Sequence, residues 1–312
     1  MQTTLRKRSE LRRQIIRHWP LYFMMLPGII YLIVNNYLPL TGLQLAFKKF
    51  KFSAGIWGSD WNMFKNFRYL FSSPDAGIII RNTIGYNLVF IILGTVFAIF
   101  VAILLSEVRR KTAQQLYQTL ILIPHLISYV IVSYIVYAFL GQDNGMINNS
   151  ILHPLGIPGV AWYTEAGHWP YLLVIIQLWK SFGYSSIIYY ASIVGIDRTL
   201  YEAAVVDGAG TWKQITRITL PMLKPVIITL TLLSIGRIFY SDFALFYQVP
   251  MNSGLLYSAT NTIDTYVYRG LLETNDIGRA SAAGFIQSVI GFLLVLGTNA
   301  IVRKVEKEQA LF

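Results

Sequence analysis

Six apolar runs, at roughly 21–47, 78–105, 116–140, 171–196, 222–249 and 281–302, each last about twenty residues or more and hold few ionisable side chains. A helix needs about 20 residues to cross a hydrocarbon core. Lipid offers peptide groups no partner, so only helices or closed barrels span it, and these runs lack the alternation of barrel strands. The expected fold is all-α: a polytopic membrane protein with six transmembrane helices. With 54% hydrophobic and 13% charged residues, a soluble chain of this length has too few polar groups to cover its surface. No repeat or linker marks a second domain, so a basic tail (1–20) is expected to precede one six-helix unit (21–312). The run after RKRSELRRQIIRHWP is longer than a signal peptide's apolar core and has no cleavage site behind it, so it is read as a retained anchor.

The net charge of +11 is scattered among the spans, which fits topology signals and anionic headgroups, not nucleic acid. Sixteen cations fall on one side. They are Arg6, Lys7, Arg8, Arg12, Arg13 and Arg17, then Arg109, Arg110 and Lys111, then Arg198, Lys213, Arg217 and Lys224, and finally Arg303, Lys304 and Lys307. Eight fall on the other, six of them around loop 1–2, which runs against the rule. Cytoplasmic flanks are richer in Lys and Arg, so both termini and the segment between spans four and five are expected in the cytoplasm.

Catalytic signatures are missing. There is no cysteine, no G-x-x-x-x-G-K-[ST] phosphate loop, no H-E-x-x-H and no G-x-S-x-G, and His18, His125, His153 and His168 lie in different segments. The chain is expected to be no enzyme and to bind no cofactor or metal.

One polar interruption stands out, DRTLYEAAVVDGAGTWKQITRITLP at 197–221. Thr199 and Glu202, then Thr211 and Gln214, have capping-box spacing and predict two short helices. Gly208 and Gly210 permit positive φ between them, and Pro221 is expected to end the second helix and begin span five. Trp212, Ile215 and Ile218 form one apolar stripe. Periodicity alone leaves two readings: an amphipathic pair resting on the membrane, or a docking surface.

The lettering favours docking. Glu202-Ala203-Ala204, Gly208, Ile218 and Leu220-Pro221 at these spacings resemble the EAA loop of binding-protein-dependent ABC-importer permeases. Asp207-Gly208-Ala209 matches that family's common DGA, and Ile196-Asp197 its usual exit from span four. YLPLTGLQLAFKKF at 37–50 and Asn82-Thr83 are similar to carbohydrate-uptake permeases, nearest to those of alginate and other polysaccharide fragments. The resemblance implies a type I importer fold in a bacterial inner membrane. It implies that Glu202, Ala203, Ala204, Asp207, Gly208, Ile218, Leu220 and Pro221 couple the chain to a separate ATPase, which binds ATP and magnesium. The implied partners are a second homologous permease, two ATPase subunits, an extracytoplasmic solute-binding protein and an oligosaccharide.

Two cations remain inside the spans, Lys180 and Arg237. Helical rise of about 1.5 Å per residue places them roughly 14 and 18 Å below the outer ends of spans four and five, a level suited to an anionic ligand. The competing readings are that Lys180 bonds backbone carbonyls and that Asp242 neutralises Arg237, although i, i+5 spacing on one helix would turn that pair apart. Gln177, Trp179 and Tyr184 on span four, with Phe239, Tyr240, Phe243 and Tyr247 on span five, are candidates to stack on sugar faces. Interfacial belts also enrich these residue types. Loop 3–4 holds no Lys or Arg, and reads either as a surface for the binding protein or as a lid. The rival functions are a permease for another cargo such as peptides, an ion-coupled secondary transporter, and a membrane enzyme.

Overall fold

A computed structural model describes the backbone of residues 2–305 and the side chains of 17–304. The tail cations Arg6, Lys7, Arg8, Arg12 and Arg13 and the terminal Lys307 therefore lie outside the described side chains. In chain order the helices are α1 (Gln2–Leu32), α2 (Gly55–Gly58), α3 (Lys65–Ser72), α4 (Pro74–Ser106), α5 (Lys111–Leu126), α6 (Tyr129–Leu140) and α7 (Trp169–Val194). There follow α8 (Arg198–Val206), α9 (Thr211–Gln214), α10 (Leu220–Gly236), α11 (Phe243–Gln248), α12 (Tyr257–Thr260), α13 (Ile263–Leu272) and α14 (Ile277–Val305). Two short strands, β1 (Lys48–Lys49) and β2 (Asp60–Trp61), pair antiparallel.

Among the described residues, five helices are long and apolar enough to cross a membrane, or six if one bent pair counts as a single span. That pair is the expected third span. It is two helices, α5 and α6, meeting at 90°. Pro124 sits near the end of α5, and Ser128 caps α6 by accepting a hydrogen bond from the Ile131 amide. The expected fifth span is also corrected. It starts at Thr211 instead of 222 and stops at Gly236, and residues 237–242 are not regular helix before α11.

Helices α4 and α7 form the central pair. At one end Tyr86, Trp169, Leu173 and Phe246 make a buried cluster, and at the other Ala98, Ala102, Tyr189, Ile193 and Leu223 make a second. The starts of α4 and α14 and helix α3 share one polar recess. The spans stay largely uncovered, with at most 28% of any apolar window buried and none of that of the first span. So much exposed apolar surface is stable only against lipid or another chain.

Candidate functional site

The first part of the site is the hairpin at 197–221. Asp197, not Thr199, caps α8: its carboxylate accepts the Thr199 amide hydrogen bond at 2.9 Å. That bond holds the Asp197 carboxyl below the usual range. The expected capping boxes are therefore absent, because the acid stands one residue before the helix and Gly210, with no side chain, precedes α9. Helix α8 closes in a Schellman turn, Ala209 N–H to Ala204 O at 2.8 Å and Gly208 N–H to Val205 O at 3.0 Å. Gly208 occupies the left-handed position at φ +73°, as expected, whereas Gly210 has φ −68°.

Pro221 does not end the second helix. Helix continues unbroken from Thr211 to Gly236. A π turn at Ile215–Thr219 stands just before the proline, where the wider turn relieves the clash between a proline ring and the carbonyl four residues earlier. Tyr201 Oη and Thr219 Oγ1, 2.9 Å apart, tie α8 to that turn. The hairpin tip presents Val206 (87% exposed) and Trp212 (76%), while Ile215 and Ile218 are half-buried. Glu202 is exposed and makes no hydrogen bond or ion pair among the described residues.

The second part is a cavity of about 750 Å³ between α4, α7 and the end of α10. It collects Gln177, Tyr184, Arg237, Tyr240 and Asp242 from the expected set, together with Asn87, Phe90, Ser181 and Tyr189. Arg237 reaches it differently from the expectation. It caps the end of α10 at φ −107°, so counting helical rise to a continuous fifth span did not give its depth. Its guanidinium makes no hydrogen bond or ion pair among the described residues, and Asp242 instead caps α11 by accepting from the amides of Ala244 and Leu245.

The other candidates lie elsewhere. Lys180 is 8% exposed and donates to the carbonyl oxygens of Pro124 (3.3 Å), His125 (2.9 Å) and Ile127. It brackets the bend of span three and does not line the cavity. A carbonyl cluster at a helix end, with negative dipole, is a natural seat for an ammonium group. Beside it Gly183 lets α5 ride directly on α7, where a Cβ would stand 2.5 Å from the carbonyl carbon of Ile121. Trp179 does not line the cavity. Phe239 packs against Leu70, Ile79 and Ile263. Phe243 and Tyr247 form an aromatic cluster with Tyr268, at ring separations of 4.7–5.0 Å.

Sequence reasoning missed the polar groups that hold the chain open at 237–242. Asn87 on α4 donates to the carbonyls of Ile238 (2.9 Å) and Tyr240 (3.1 Å), and Gln287 on α14 to that of Phe239 (2.8 Å). The Asp264 carboxylate accepts from Ser241 N and Oγ, both 2.7 Å, and from Gln287 at 3.0 Å. One turn earlier Asn82 donates to Asn261 O at 2.9 Å, and Thr83 accepts from the Ile263 amide at 3.0 Å. Broken helix at membrane depth survives only where its peptide groups find such partners. The available signal was a row of amides on an otherwise apolar helix.

Residues 94–307 match the family described as binding-protein-dependent transport system inner membrane component. The chain is 32% identical to protein LplB of Bacillus subtilis (strain 168), over 92% of this chain and 90% of that protein. It is 34% identical to the polygalacturonan/rhamnogalacturonan transport system permease protein YteP of the same organism, over 97% and 93%. Among solved structures, a bacterial ABC transporter involved in import of the acidic polysaccharide alginate includes a chain that superposes with TM-score 0.85 at 34% identity, covering 95% of this chain and 99% of that one. A second structure, the alginate transporter with a pentasaccharide-bound periplasmic protein, gives 0.83. The chain belongs to the binding-protein-dependent transport family of inner-membrane components, and its fold is that of the type I ABC-importer permeases.

Proposed function

We propose that this permease is one of two homologous membrane subunits of an ATP-driven importer, and that oligosaccharides, preferentially acidic ones, cross the membrane along its 750 Å³ cavity. The observation that carries the reading is a continuous helix of 26 residues, Thr211–Gly236, which begins at the hairpin turn and ends where Arg237 enters the cavity. At about 1.5 Å per residue it is a lever some 39 Å long. A separate ATPase holds the hairpin through Glu202 and the exposed apolar tip. Nucleotide-driven closure of two such ATPases moves the lever, and the cavity exchanges its access from one face to the other. The hairpin side is cytoplasmic, as the cation count favours. A solute-binding protein delivers the sugar at the opposite face, where α4, α7 and α14 begin.

Sugar rings present C–H faces that stack on aromatic rings, with hydroxyls reaching polar groups at the rim. Tyr184, Tyr240 and Phe90 supply the rings, Gln177 and Asn87 the amides, and Arg237 a charge able to hold a uronate carboxylate in a bidentate pair. Two relatives support the acidic cargo: one transports polygalacturonan/rhamnogalacturonan, the other the acidic polysaccharide alginate. The test is uptake by proteoliposomes holding the whole assembly, with uronate oligosaccharides, neutral oligosaccharides and peptides in competition. Arg237→Gln should weaken uronate transport about tenfold or more while sparing neutral sugar, as loss of a charge-assisted contact implies. Equal loss for both, or preferred transport of peptides, refutes the cargo.

A further inference from the structure

A second large recess, about 860 Å³, lies on the other side of the α4–α7 pair. On α4 it is lined by Arg81, Gly85, Val89 and Leu93, whereas Asn87, Ile91 and Gly94 line the transport cavity. At 100° per residue these two sets lie about half a turn apart. The groove is therefore separated from the pathway by the thickness of the helix. Val174 and Ile175 of α7 form its opposite wall.

Its two ends differ in chemistry. Arg81 stands at the end nearer the start of α4, and its Nη2 is held by Ser258 O at 2.7 Å and by Asn82 Oδ1 at 3.1 Å. Both hydrogens on Nη1 remain without a partner among the described residues. Tyr171, 74% exposed near the start of α7, lines the same end, and tyrosine at a span end marks headgroup level. From Arg81 to Leu93 the groove follows twelve residues of helix, about 18 Å. That is close to the depth of one leaflet, half of a hydrocarbon core about 30 Å thick. A cation at headgroup level above an apolar trough one leaflet deep fits a phospholipid, phosphate on the guanidinium and acyl chain along Gly85, Val89 and Leu93.

We propose that this groove is a site for an anionic phospholipid of the leaflet at the α4 start. The charge complementarity of Arg81 and the matched length select lipid over the other occupant of such a trough, an apolar helix of a neighbouring subunit. The test uses the assembled transporter, equilibrated with phosphatidylglycerol and phosphatidylcholine and examined by native mass spectrometry. Wild type should retain phosphatidylglycerol in preference, and Arg81→Gln should reduce that retention about tenfold, as loss of a charge-assisted contact implies. Gly85→Leu should abolish retention of both lipids at this site, since nothing lies within 4 Å of a Cβ built at Gly85 and the larger side chain enters the trough without clash. Excess glycerol phosphate, which has the anion and no chain, should displace nothing. Retention unchanged in both variants, or displacement by glycerol phosphate, overturns the proposal. The chain has no cysteine, so Val89→Cys adds the chain's only thiol and serves even if a groove variant fails to assemble. Its cross-linking in native membranes to another subunit, instead of to a thiol-reactive lipid, also overturns it.

Discussion

Gly183→Ala is the sharpest perturbation of this architecture, because one methyl group acts on two features at once. The added carbon would lie 2.5 Å from the Ile121 carbonyl carbon, where ordinary carbon contacts need about 3.5 Å. Helix α5 must then retreat from α7 by at least about 1 Å, since the Ile121 carbonyl oxygen lies nearer still to the added carbon. The same retreat stretches the Lys180 bond to His125 O from 2.9 Å to about 3.9 Å, beyond hydrogen-bonding range. Overpacking costs about 1–3 kcal/mol, and a hydrogen bond to a charged group contributes about 1.5–3 kcal/mol, so the variant should lose about 2.5–6 kcal/mol. Lys180→Met alone should lose a comparable amount by orphaning three carbonyl acceptors. The two changes remove the same bonds, so their effects should overlap by about 1.5–3 kcal/mol in a double-mutant cycle. The assay is thermal unfolding of the detergent-purified assembly, followed by fluorescence-detected gel filtration for the wild type, both single variants and the double variant. The double variant should melt below Gly183→Ala alone, but by less than the full shift of Lys180→Met. A Gly183→Ala protein that melts like wild type, or melting shifts that simply add, would refute the bracket.

Other consequences are open to equally direct measurement. Gly208→Val forces a β-branched residue to φ +73°, where an L side chain costs about 1–2 kcal/mol; co-purification with the ATPase subunits should fall, while permease expression stays near wild type. Glu202→Ala should leave melting unchanged, since the carboxylate has no partner among the described residues, yet abolish solute-stimulated ATP hydrolysis; undiminished stimulation would remove the coupling role. Asp264→Ala orphans Ser241 N–H and one Gln287 donor, at about 1–3 kcal/mol for each buried group, and should speed hydrogen exchange of the amides at 237–242 relative to those of α4.

The membrane class, the number of apolar runs and the position of the hairpin were legible in the chain itself, because each rests on a local property. A peptide group in lipid must find its partner within the protein, and helix is the default that supplies one locally along an apolar run. Gly208 must adopt positive φ wherever a Schellman turn closes α8. The position of the hairpin was legible for the same reason, since the Asp197 cap and the Schellman turn join residues within a few positions of one another.

What the chain could not disclose by itself was where its helices break and which polar groups satisfy the breaks. Lys180 reads equally as a pathway cation or as a donor to backbone carbonyls until α5, fifty-five positions away, is seen to aim its terminal carbonyls at the ammonium. Arg237 reads as mid-helix until Asn87, Asp264 and Gln287 are found taking over the peptide bonds that the helix relinquishes. An unsatisfied peptide group in hydrocarbon costs several kcal/mol, so a span breaks only where distant residues can meet that cost. Distance along the chain hides those partners, and tertiary packing alone brings them together.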